Sequence, residues 1–226
     1  MKVYKNALFL LFIAALTVTL VACGGKDKVE NKEKDITMSD ILNEKGSREI
    51  ILTEETDNTN SPQVKWAGTI GNGKMEIHPY ANKSDLEFND LKNLDSKEYK
   101  RKLNTQDKDY EEYGENEELN IHPRNTDLLI GYDNEDKIKG IMFDTQLLGN
   151  KADKNLIKNY IFSNIKNSND DEWLKIQTPK ATDISDQEIT PYVLNIKKKD
   201  KAEKLSFENK KEYQDKYKNV RFINID

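Results

Sequence analysis

The two histidines of the chain lie in repeated tripeptides, Ile77-His78-Pro79 and Ile121-His122-Pro123. An Asp-Leu pair follows each tripeptide after a few residues, which adds Asp85 and Asp127 to the pattern. Two histidines and two carboxylates could bind a metal such as zinc if both copies folded side by side. Catalytic zinc usually has three protein ligands, however, and neither HxH nor HExxH spacing is present. We therefore expect no metal site, and we expect both histidines to lie partly exposed at strand ends, because a following proline favours extended backbone.

Carboxylates and indole rings offer two further kinds of site. Glu76 and Asp85 could act as the acid pair of a hydrolase, although 41 acids spread along the chain make any such pair weakly specific. Trp66 and Trp173 could stack on sugars or on peptide stems of a cell wall. Trp66 lies in an alternating segment, so a core position is its more ordinary explanation. Neither a GxSxG motif nor a phosphate-binding P-loop occurs, and we expect no cofactor.

The N-terminus carries the most specific pattern of the chain. Lys2 and Lys5 precede an unbroken run of apolar or hydroxyl residues, 7–21, which ends at small residues before Cys23. A positive start, an apolar run and a small-residue end are typical of a secretory signal peptide. The run is shorter than the roughly 20 residues that a membrane-spanning helix needs.

Leu20-Val21-Ala22-Cys23 resembles the lipobox of bacterial lipoproteins. The resemblance implies that residues 1–22 are a signal peptide and that a lipid, such as one carrying palmitate, is attached to the sulfur of Cys23. The protein would then be anchored to the outer face of the cell membrane. Cys23 is the only cysteine, so no disulfide can form within the chain.

The charge balance limits the classes of partner. The full chain has a net charge of −5, and removal of residues 1–22 would remove two lysines and no acid, leaving −7. This argues against nucleic acid as a partner, because phosphate binding needs a basic surface. It also argues against a polybasic membrane-binding surface, so that attachment is expected through the lipid on Cys23.

The chain is expected to divide into a tether and a folded region. Residues 23–35 are charged and begin after Cys23 with two glycines, which predicts a disordered, lipidated tether with a reach of about 20 Å. Residues 36–113 and 114–226 are expected to form two α+β units or one continuous domain.

The predicted fold class is α+β, mostly antiparallel β hairpins with intervening helices. Gly71-Asn72-Gly73 predicts a tight hairpin turn, and Asp95 predicts the start of a long helix. An isoleucine stripe after Asp153 predicts a helix that extends to Ile165, and a second helix is predicted for Ser206–Tyr217. A strand is predicted for Val220–Ile225.

Residues 36–113 also resemble, with motifs of low specificity, small lipoproteins of low-GC Gram-positive bacteria. This resemblance implies no site residue and no activity. We expect a non-enzymatic binding or interaction module of the cell envelope. The alternative is an envelope hydrolase that uses a carboxylate pair.

Overall fold

The computed structural model describes residues 33–55, 61–79, 85–113, 121–145, 160–166, 172–179, 181–182, 188–189 and 191–226. Its strands are β1 (Lys34–Ile36), β2 (Arg48–Glu54), β3 (Val64–Gly71), β4 (Lys74–His78), β5 (Arg124–Tyr132), β6 (Ile138–Thr145), β7 (Asn164–Lys166), β8 (Trp173–Gln177), β9 (Ala181–Thr182), β10 (Glu188–Ile189), β11 (Tyr192–Lys197), β12 (Glu203–Leu205) and β13 (Val220–Asn224). Its helices are α1 (Met38–Asn43), α2 (Phe88–Leu91), α3 (Ser96–Tyr113) and α4 (Lys210–Tyr213).

Most of the described strands belong to one curled sheet, in the order β13-β5-β4-β3-β2-β11-β8-β7, and β6 pairs with β5 outside this order. Its pairs are antiparallel except β5–β13, and β1 pairs with β12 in parallel outside it. The predicted α+β class with mostly antiparallel strands is confirmed in this coarse form. The predicted Gly71-Asn72-Gly73 turn is present, with φ of 56° at Asn72 and 71° at Gly73, values that asparagine and glycine tolerate.

Residues 33–226 form one compact unit. Strand β11 pairs with both β2 and β8, and β5 pairs with β4, so the sheet crosses the expected division after residue 113. The alternative of one continuous domain therefore describes the arrangement. The folded region begins before residue 36, the boundary expected from the sequence. Lys34 and Asp35, which were expected to belong to the tether, are part of β1 and lie opposite Glu203 and Lys204. Residues 1–32, including Cys23, lie outside the described residues.

Two hydrophobic clusters cover the two faces of the sheet. We call the first face the α1 face. Here α1 and the C-terminal segment, residues 203–226, cover a large core that contains Trp66. Leu52 lies opposite Trp66 in the β2–β3 ladder, and both are buried. On the second face, the α3 face, the buried residues form a smaller cluster of Ile51, Val64, Ala67, Leu86, Phe88, Leu91, Tyr99, Leu103 and Trp173.

Helix α3 starts where the sequence predicts. The Oδ1 atom of Asp95 accepts hydrogen bonds from the backbone N–H groups of Lys97 and Glu98, at 2.9 and 2.8 Å. This satisfies two of the N–H groups that lack a partner at a helix N-terminus. None of the described helices is long and apolar enough to span a membrane.

One predicted helix is wrong in its described part, and a second is shorter than predicted. Residues 160–166 are extended: Phe162 pairs with Ile141, and β7 pairs with β8. Phe162 is buried while Ile161 is 50% exposed, which is the alternation of a strand rather than a helical stripe. In the segment Ser206–Tyr217, only α4 is helical. The predicted terminal strand is confirmed as β13.

Candidate functional site between helix α3 and the sheet

A groove of about 560 Å³ lies between α3 and the strands β2, β3 and β4. We call it the α3 groove. Hydroxyl groups and charged side chains of both signs line it. Its lining residues are Ser47, Arg48, Glu49, Thr69, Gly71, Asn72, Lys74, Glu76, His78, Ser96, Tyr99, Lys100, Leu103 and Pro123.

His78 connects the sheet to the helix at one end of the groove. Its Nδ1 atom lies 2.7 Å from Oδ2 of Asp107 on α3, and its Nε2 atom lies 3.4 Å from Oε1 of Glu76 on β4. The side chain of His78 is only 3% exposed. The expected partial exposure is therefore wrong for His78, because α3 packs over the end of β4 and covers it.

The hydrogen bonds and charges of this network shift the pKa values of His78 and Glu76. Burial disfavours the protonated form of His78, but the hydrogen bonds and charges of Asp107 and Glu76 outweigh it and raise the pKa of His78. The hydrogen bond from His78 lowers the pKa of Glu76 against the effect of burial. A carboxyl group with a lowered pKa is ionised at neutral pH, so Glu76 is suited to accept hydrogen bonds or to bind a cation, and unsuited to be a general acid.

The second histidine tripeptide runs beside the first. Met75 lies opposite Arg124 in the antiparallel β4–β5 pair. The first tripeptide ends β4 and the second precedes β5, so both lie at the same end of these two strands. His122 is exposed, and its charge contributes to the lowered pKa of Glu76. The repeated pattern thus brings both histidines near one carboxylate, which is not one of the aspartates that the sequence suggested.

Tyr99 fixes helix α3 to the sheet in the middle of the groove. Its hydroxyl oxygen lies 2.9 Å from the backbone oxygen of Ile50 and accepts a hydrogen bond from the N–H of Gly68 at 3.1 Å. A Cβ atom at Gly68 would lie 1.8 Å from the backbone oxygen of Glu76, so a larger residue would displace the strand. Burial raises the pKa of Tyr99, which keeps its hydroxyl neutral.

The other end of the groove is closed by a second charged contact. Ser96 donates a hydrogen bond of 2.6 Å to Glu49, and Nζ of Lys197 lies 2.8 Å from the same carboxylate. Arg48, beside it, forms ion pairs with Glu44 and Glu203, and its side chain is 1% exposed. Between the two ends, the exposed side chains of Lys74 and Lys100 line the groove together with the Glu76 carboxylate.

The other candidate residues lie elsewhere. Trp66 and Trp173 are 1% and 2% exposed, so neither ring offers a stacking surface. Asp85 is exposed and does not line the groove, and Asp127 forms an ion pair with Arg221. Within the described part of the chain, no group of three or more histidine, cysteine or acidic side chains could hold a metal ion.

Asp107 is the site residue that sequence reasoning missed. It follows Tyr99 and Leu103 at intervals of four residues, which places all three on one side of α3. An acid in the place of the next apolar residue of that stripe is the signal that could have identified it.

Comparisons with protein-family models, curated proteins and solved structures found no match.

Proposed function

We propose that this chain is a lipid-anchored, extracytoplasmic lipoprotein that binds a polar component of the cell envelope in the α3 groove. The observation that carries the binding proposal is the groove itself, in which an ionised Glu76 lies near two exposed lysines. The anchor is supported by the lipobox at Cys23, which precedes the compact unit that starts at Glu33.

The groove favours a ligand that carries both positive and negative charges. Glu76 offers an anionic acceptor for an amino group, and Lys74 and Lys100 offer donors for a carboxylate. Hydroxyl groups of the lining, such as that of Thr69, can add neutral hydrogen bonds. The peptide stems of the cell wall have this chemistry, and they are accessible to a protein on the outer face of the membrane.

Calorimetric titration of the full chain, purified with its lipid in detergent, tests the binding site. The probe is a soluble wall fragment, a disaccharide that carries its stem peptide. We expect saturable binding that weakens about ten-fold or more in Glu76→Gln, because a charge-assisted hydrogen bond is lost. The matched control is Glu135→Gln, which removes an exposed acid on the turn between β5 and β6 and should leave binding unchanged.

Two outcomes would contradict the binding proposal. Binding that is equally strong in Glu76→Gln would place the ligand outside the α3 groove. Cleavage of the fragment by the wild type but not by Glu76→Gln would favour the envelope hydrolase instead.

Metabolic labelling with a fatty acid tests the anchor. We expect the wild type to incorporate the label and to fractionate with membranes, and Cys23→Ser to remain unlabelled. The expectation follows from the chemistry, since a serine hydroxyl cannot form the thioether that carries the lipid. A serine variant that still incorporates the label would refute the lipobox assignment.

A further inference from the structure

Helix α3 presents a basic stripe along one exposed side, and one member of the stripe, Lys100, also borders the α3 groove. Its members recur at the spacing of one helical face, and all six are exposed. They surround a shallow surface depression that no acid lines. The residues of the stripe are Lys97, Lys100, Arg101, Asn104, Thr105 and Lys108.

Three cations of the stripe form no ion pair with another described residue, and the fourth, Lys100, lies near Glu76 at the border of the α3 groove. Among the described residues, no ion pair involves Lys97, Arg101 or Lys108. Asp107, an acid of the same helix segment, points inward to His78. The net charge of −5 for the whole chain conceals this local reversal of sign.

The first strand of the folded unit lies near the start of the stripe. Lys34, at the start of β1, lies opposite Glu203, which forms an ion pair with Arg48. Arg48 and Ser96, the first residue of α3, both line the α3 groove. The N-terminal end of α3 is thus on the same side of the unit as β1, with which the described part of the chain begins.

We propose that the stripe docks the domain onto anionic phospholipid headgroups of the membrane to which the chain is anchored. This inference rests on the proposed lipid anchor and adds a second, electrostatic contact to it. Four cations along one exposed helical face match a plane of lipid phosphates, because each lysine or arginine near an anionic surface adds to the attraction. Docking would hold the α3 groove at a fixed height and orientation above the bilayer.

The test uses the full lipidated chain in vesicles with either neutral lipid alone or an added anionic phospholipid. Asn104→Cys, in the middle of the stripe, carries an environment-sensitive dye, since the sulfur of Cys23 is occupied by lipid. Lipids with a quencher on the headgroup report whether the stripe touches the surface. We expect quenching at residue 104 in anionic vesicles only, and its loss in 1 M salt, where the Debye length is about 3 Å.

Charge removal gives the matched comparison. We expect Lys97→Gln with Arg101→Gln to lower the ratio of docked to undocked protein about five-fold for each charge removed. Lys211→Gln with Lys218→Gln removes the same charge from exposed positions in the C-terminal segment and should leave that ratio unchanged. A dye at Glu212→Cys, on α4, should stay unquenched throughout.

Flotation of the vesicles separates the two proposals. A chain that fails to float with neutral vesicles lacks the anchor, which contradicts the proposed function. A chain that floats with anionic vesicles but shows no quenching at residue 104 refutes docking alone. Equal quenching in neutral vesicles, or tighter binding to soluble polyphosphate than to anionic vesicles at the same phosphate concentration, would also overturn the membrane assignment.

Discussion

The two faces of the sheet are built on different principles. On the α1 face, Met38, Ile41 and Leu42 of α1 are fully buried, and apolar packing closes the core. On the α3 face, Tyr99 and Leu103 pack against the sheet, but the next residue of the same stripe is Asp107. The helix is therefore held by apolar contacts at its start and by a charged network farther along.

The difference separates the face that contributes most to stability from the face that holds the candidate site. A close-packed apolar face contributes most of the folding free energy, because stabilisation scales with the apolar area removed from water. The charged network under α3 contributes less, since the cost of burying His78 offsets much of its attraction to two carboxylates. It leaves a polar groove whose groups remain available to a ligand.

The largest expected effect belongs to the α1 face. We expect Trp66→Ala to lower the free energy of unfolding by about 3 kcal/mol or more, the usual range for removing a large aromatic side chain from a core. Trp66→Phe should cost clearly less, because it keeps most of the packing and removes a buried indole N–H that has no hydrogen-bond partner among the described residues. Denaturant unfolding of the full chain measures both. An alanine variant as stable as the wild type would show that the α1 face does not carry the stability.

A smaller effect, dependent on pH, is expected on the α3 face. His78→Ala should cost about 2 kcal/mol at pH 6, because it breaks a partly buried charged network. The raised pKa of His78 means that the folded state binds the proton more tightly than the unfolded chain, whose histidine titrates near 6.5. The stabilisation is thus complete below about pH 6.5 and is lost as the pH rises through the higher folded-state pKa.

His122 provides the control for this prediction. His122 lies in the second copy of the Ile-His-Pro tripeptide but is exposed, so His122→Ala should change the free energy of unfolding by less than about 0.5 kcal/mol. Unfolding free energies at pH 6 and pH 9 should differ more for the wild type than for His78→Ala. Equal differences in both proteins would show that His78 does not couple the α3 face to pH.

The same comparison shows what local sequence can predict. Strands β3 and β4 and the turn between them follow from alternation and from Gly71-Asn72-Gly73, because these signals act over neighbouring residues. The different environments of His78 and His122 do not follow, since they depend on which strand end α3 covers. The insertion of β11 between β2 and β8 is likewise set by contacts between residues far apart in the chain.

The helix errors have a physical cause as well. The isoleucines of the segment that ends at Ile165 suit one helical face, but β-branched residues are also favoured in strands, and pairing with β8 decides the outcome. In the C-terminal segment, Tyr213 and Tyr217 both donate hydrogen bonds to Asp40, at 2.6 and 2.9 Å. These long-range contacts do not need a continuous helix, and the sequence pattern alone does not reveal them.

The smallest expected effect concerns Glu208. This residue follows β12 in the chain, and its side chain packs against the start of α1 at Ser39. The side chain accepts hydrogen bonds from the backbone N–H and the hydroxyl of Ser39, both at 2.9 Å, through one carboxylate oxygen. The other oxygen is buried and has no hydrogen-bond partner among the described residues. Burial raises the pKa of Glu208, and the hydrogen bonds from Ser39 oppose this without cancelling it.

Because the folded state binds the proton of Glu208 more tightly, the contribution of this group to stability is greatest below its unfolded-state pKa of about 4.3. That contribution decreases as the pH rises through the folded-state pKa. Glu208→Gln keeps an acceptor for Ser39 and cannot ionise. We expect it to match the wild type near pH 4 and to be as stable or up to about 1 kcal/mol more stable at pH 7, in denaturant unfolding at both values. A negative charge at a helix N-terminus is worth about 0.3–1 kcal/mol, so the gain is small. A variant that is less stable at pH 7 would show that α1 needs the carboxylate charge, and that the closed face also depends on electrostatics.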